Sequence, residues 1–87
     1  MTEISEADVV EIAGGTEGDI VAEETNAETD SAVCLRKFPS RFVLGASCDV
    51  MDITKFYAFD DLEAAQAQFD ELAGMMRSTG TPFGAAS

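Results

Sequence analysis

Apolar positions in the second half of the chain follow two different periods. "AVCLRKF" (32–38) and "RFVLGAS" (41–47) are dense in β-branched, aromatic and aliphatic residues, with Pro39-Ser40 between them. Proline fixes φ at a turn value and has no N–H to give to a ladder, so the two runs read as strands of a hairpin. "ITKFYAF" (53–59) is a third strand. Ile53, Tyr57 and Phe59 share one face at period 2, interrupted by Lys55, while Thr54, Phe56 and Ala58 share the other. "SCDVMD" between the second and third strands has turn composition.

The period then changes. In "DDLEAAQAQFDELAGMMRS", Leu62, Ala65, Phe69, Leu72 and Met76 recur every three or four residues and line one stripe of a helix. Asp60 with Glu63 three residues on reads as the N-cap and capping box, and Arg77 suits the C-terminal end of the macrodipole. Gly74 weakens the last turn by roughly 1 kcal/mol relative to Ala and marks a candidate end.

The first thirty residues are less periodic. "SEADVVEIAGG" fits a short helix over 6–13, capped by Ser5, boxed by Asp8 and stopped by Gly14. The same residues also fit a strand whose hairpin partner is "DIVAEE" across "GGTEG". The helix is preferred, with a strand at 19–24. The fold class expected is α+β: an antiparallel sheet of three to four strands (19–24, 32–38, 41–47, 53–59), covered by one amphipathic helix (61–76), with the short N-terminal helix (6–13). The chain divides into an acidic segment (1–30, short helix plus strand or partly disordered), a sheet–helix core (31–77) and a flexible tail (78–87). Phe38, Phe42, Leu44, Phe59, Phe69 and Leu72 are expected to supply most of the core. At 87 residues that core is thin, burying about 60–65% of the unfolded surface.

Charge changes this picture most. Residues 1–30 hold ten carboxylates and no Lys or Arg, and the whole chain carries a formal net charge of −12. "GGTEGDIVAEETNAETD" (14–30) alone holds six carboxylates. Such a field repels phosphate backbones and anionic lipid, so neither nucleic acid nor a membrane is an expected partner. The only basic patch is Arg36, Lys37 and Arg41 around the Pro39 turn. It reads first as exposed strand-end charge, and otherwise as a grip on an acidic partner or on the acids of 17–30.

Composition removes several chemistries. The chain has no His, which takes away the commonest general base and metal ligand. Cys34 and Cys48 form no CxxC and are read as buried, reduced thiols. Ser residues have no imidazole partner, and "GGTEG" lacks the Lys of a phosphate loop. Asp60-Asp61 reads as helix capping and Glu23-Glu24 as solvated charge. No catalytic residue, cofactor or metal is expected. The N-terminus "MTEISE" carries no export signal, and no apolar run approaches the ~20 residues of a membrane span. A cytoplasmic protein is expected.

Two functional readings follow, and a third rests on a local likeness. A catalytically empty acidic domain suits the role of a nucleic-acid mimic. In size and charge it is similar to the small inhibitors that phages and mobile elements make against nucleases and CRISPR complexes. Duplex DNA carries one charge per ~3.4 Å of strand, and carboxylates on neighbouring helix or strand positions stand about 5–7 Å apart. The candidate partner-binding residues are Glu3, Glu6, Asp8, Glu11, Glu17, Asp19, Glu23 and Glu24, facing a basic surface on a nucleic-acid-processing protein. Glu3, Glu6, Asp8 and Glu11 form one row if 5–13 is helical. The second reading is an accessory subunit or homo-oligomeric module, with a homodimer as one form. Finally, "ISEADVVEIAGG" resembles the end of a double-glycine leader peptide, which implies a precursor processed after Gly14-Gly15.

Overall fold

The Pro39 turn closes as a hairpin: Phe38 N–H donates to the Arg41 carbonyl at 2.8 Å. Around that hairpin the computed structural model describes residues 2–84. In chain order these form β1 (Thr2–Ile4), α1 (Glu6–Ala13), β2 (Asp19–Asn26), β3 (Ser31–Lys37), β4 (Phe42–Cys48), β5 (Ile53–Phe59) and α2 (Leu62–Thr79). The strands make one antiparallel sheet in the order β1-β5-β4-β3-β2. The α+β class is as expected, but the sheet has five strands rather than three or four. The additional strand, β1, is only three residues long and has no period to read. It exists because it pairs with β5, more than fifty positions away, matching Glu3 to Tyr57.

Register assigns the two faces of the sheet. Leu35, Leu44 and Tyr57 are cross-strand partners, as are Val33 and Ala46, so these side chains share one face. α2 packs there with Ala65, Phe69, Leu72, Ala73 and Met76 buried. Leu35 and Leu44 are fully buried, each contributing about 1.5–3 kcal/mol relative to exposure. Five of the six residues expected to dominate the core are buried, and Phe42 is half-buried against the same cluster.

The helix boundaries differ from those the sequence suggests. The N-cap is Asp61, not Asp60: its backbone is extended, and its carboxylate accepts from Ala64 N–H at 3.2 Å. Asp60 instead pairs with Arg41 at 3.0 Å. Gly74 does not end the helix. The apolar stripe continues to the buried Met76, and Gly80 caps in the left-handed region, its N–H donating to the Met76 carbonyl at 2.8 Å. The expected flexible tail overlaps this helix at Ser78 and Thr79, while Thr81 and Pro82 are buried. Residues 85–87 of that tail lie outside the described residues.

α1 lies over part of the other face, where Val9 comes beside Phe38, Val43 and Phe56. β1 and β2 are the opposite edges of a five-stranded sheet, roughly 19 Å apart at ~4.8 Å per strand. The chain between them crosses the sheet with one short helix and the loop at 14–18. Val9, Ile12 and Ala13 are its half-buried positions, and no residue of α1 is fully buried. The loop lies close to the sheet end. A Cβ on Gly18, at φ 69, would come within 2.8 Å of both the Lys37 carbonyl and the Phe38 ring.

Candidate interaction surface

Local sequence fixes the acidic helix in place. Ser5 Oγ accepts from Asp8 N–H at 3.2 Å, and Asp8 Oδ2 accepts from Ser5 N–H at 3.1 Å, so the capping box is complete. Gly14 ends the helix at φ 58 with its N–H on the Val10 carbonyl. Downstream, Arg36 Nη1 donates to the Glu17 carbonyl at 3.0 Å and ties the loop to β3. Of the basic patch, only the Arg36 side chain reaches the 17–30 segment, through a backbone oxygen and not a carboxylate. Arg41 turns the other way, to Asp60.

The eight candidate carboxylates do not form one row. Glu6, Asp8 and Glu11 ride on α1, and Glu23, the register partner of Cys34, projects from the same side of the sheet. Glu17 lies in the connecting loop. Glu3, Asp19 and Glu24 project on the α2 side, being partners of Tyr57, Lys37 and Val33. Glu3 leaves the helical row because it belongs to a strand. Three of the eight are already engaged: Glu3 with Lys55 at 3.9 Å, Glu24 with Arg77 at 3.0 Å, and Asp8 in its cap. The other five are exposed, and no described Lys or Arg lies within ion-pair distance of them.

The turns gather a further acidic group that sequence order conceals. Asp49 N–H donates to the Asp30 carbonyl at 3.1 Å, which joins the β2–β3 turn to the β4–β5 turn. Glu28, Asp30, Asp49 and Asp52 thereby share one end of the sheet. Asp49 and Asp52 belong to the nearly charge-balanced half of the sequence, and only the pairing of β3 with β4 brings them beside Glu28 and Asp30. Among the described residues, no group of three or more Cys, Asp or Glu side chains is placed to hold a metal ion.

Beyond α1 this face of the sheet is open. Ala32, Cys34, Gly45, Ser47, Thr54 and Phe56 line a shallow depression of about 220 Å³. The Phe56 ring lies over Gly45, 3.2 Å from where a Cβ would stand. Cys34 is half-buried there rather than buried, and burial pushes its thiol pKa up, with Glu23 adding to the effect and Arg36 opposing it. Cys48 is buried and points to the opposite face, since it lies three residues beyond Gly45, the partner of Cys34. Large apolar residues are also exposed outside the core, at Val10, Ile20, Val21, Val50 and Leu62.

No family model, curated protein or solved structure matches this chain. Among the described residues, no helix is long and apolar enough to cross a membrane.

Proposed function

We propose that this chain is a non-catalytic cytoplasmic binding protein that docks its acidic α1–β2 side against a basic protein surface. The surface it fits is one that otherwise holds nucleic acid, as on a nuclease or a CRISPR complex. In this reading the protein acts as an inhibitor of the phage or mobile-element type. One observation carries the reading: Glu6, Glu11, Glu17 and Glu23 are held on or between ordered elements, exposed, with no cationic partner among the described residues. Carboxylates fixed on a folded backbone lose little freedom on docking, whereas charges on a loose tail must first be ordered. Their mutual repulsion costs the folded state something, and a cationic partner relieves it.

A second reading, an accessory subunit or homo-oligomeric module, draws on the depression around Gly45 and Phe56. Its lining is small and mostly apolar, but a second copy would bring another −12 of charge to the contact. Charge therefore favours a basic partner over self-association. Capture of basic nucleic-acid-binding proteins by the full chain, at low and at high salt, tests the proposal. Capture that salt abolishes is expected. Capture indifferent to salt, or none, counts against it.

A further inference from the structure

β2 forms one edge of the sheet, and among the described residues no strand pairs with its outer side. It is eight residues long, against three for β1 at the other edge. About half of its backbone N–H and C=O groups therefore point away from β3, a row long enough to template another strand. Natural proteins protect such edges with charge and with bulges, and β2 has both: Asp19, Glu23 and Glu24, and a register shift between Ile20 and Ala22. Protection alone does not account for Ile20 and Val21. They are adjacent, large and apolar, and they remain 54% and 39% exposed on the same strand.

The charge decides what can pair there. A second copy would set the carboxylates of two β2 strands against each other, and like charges in cross-strand positions destabilise a pair. An extended segment carrying Lys or Arg would gain from the same carboxylates and cover Ile20 and Val21 with its own apolar residues. We propose that β2 is the docking strand, adding a basic, extended segment of a protein partner to the sheet by backbone hydrogen bonding. The inference rests on the acidic-docking reading above and assigns that docking to one element and one mode. Backbone pairing supplies the affinity, and the carboxylates of β2 select a cationic strand.

The test uses the full chain and two probes about ten residues long. One is a peptide of alternating Lys and Val. The other has the same sequence with every second amide N-methylated, which keeps the charge but blocks pairing along one edge. The expected result is salt-sensitive binding of the first peptide and at least about tenfold weaker binding of the second. Hydrogen exchange should slow by about tenfold or more within Asp19–Asn26 and little in α1. Asp19→Asn together with Glu23→Gln should weaken binding by about tenfold while circular dichroism stays unchanged. Equal binding of both peptides without new protection in β2 overturns the strand-docking proposal and leaves the charge reading intact. No salt-sensitive binding of either peptide overturns both.

Discussion

α1 and α2 begin and end in the same way. Ser5 and Asp61 each accept a hydrogen bond from a first-turn N–H, and Gly14 and Gly80 each turn into the left-handed region to close the last carbonyls. What they bury differs. α2 sinks five side chains into the sheet, and α1 sinks none. Caps define where a helix starts and stops, but isolated helices as short as eight residues are marginal in water and depend on packing. α2 is therefore the part of the molecule that holds the sheet, and α1 is an acidic strap laid across its other face. Stability rests on the α2 side, whereas the candidate interaction surface lies on α1 and the outer edge of β2, so changes to the exposed groups of that surface should leave the core nearly untouched.

Truncation in the two layers should give the largest contrast. Phe69→Ala or Leu72→Ala opens a cavity under α2 and is expected to cost about 3–5 kcal/mol in urea unfolding. Val9→Ala, on the half-buried side of α1, should cost about 1 kcal/mol or less. Equal costs at Phe69 and Val9 would break the distinction between the layers. Ser5→Ala removes the α1 cap, at about 1 kcal/mol for that helix. Because α1 contributes little to the core, the loss should appear as faster hydrogen exchange within Glu6–Ala13, with a much smaller change in the global midpoint.

A gain is expected at Gly74. A Cβ there has no heavy atom within 4 Å, and the position is interior to α2. Gly74→Ala should raise stability by about 0.5–1 kcal/mol, read from the denaturant midpoint. The smallest effect belongs to Cys34, whose folded pKa lies above the ordinary value of 9.0. Below that value both folded and unfolded chains hold the protonated thiol, and the stabilising contribution is complete. As the pH rises beyond it the unfolded chain ionises first, so stability falls until the folded thiol ionises too. Comparing the wild type with Cys34→Ser above about pH 9 isolates this loss, which Cys34→Ser should lack.

Period and turn chemistry made much of the fold legible. The 3-4-3-4 spacing of Leu62, Ala65, Phe69, Leu72 and Met76 locates α2, and Pro39 locates the β3–β4 turn. Ser5, Asp8 and Gly14 mark α1 because caps are local signals. β1 was not legible: three residues carry no period, and their strand character comes from β5. The choice between Asp60 and Asp61 as cap was hidden for a related reason. Both are good capping residues, and it is Arg41, brought close by folding, that draws Asp60 away. The candidate surface was legible as charge but not as layout. Counting carboxylates finds the acidic segment, whereas the division of Glu3, Asp19 and Glu24 from Glu6, Glu11 and Glu23 follows from strand register and the bulge at Val21. The turn cluster of Glu28, Asp30, Asp49 and Asp52 likewise needs the pairing of distant turns.

The most direct test replaces Glu6, Glu11, Glu17 and Glu23 together with Gln in the full chain, and compares the proteins it captures with those captured by the wild type. All four are exposed and take no part in an ion pair or cap among the described residues, so the fold should persist, with equal or higher thermal stability as repulsion is relieved. Loss of the salt-sensitive basic partners by the quadruple variant is the predicted result. Capture of the same partners in the same yield would contradict the account.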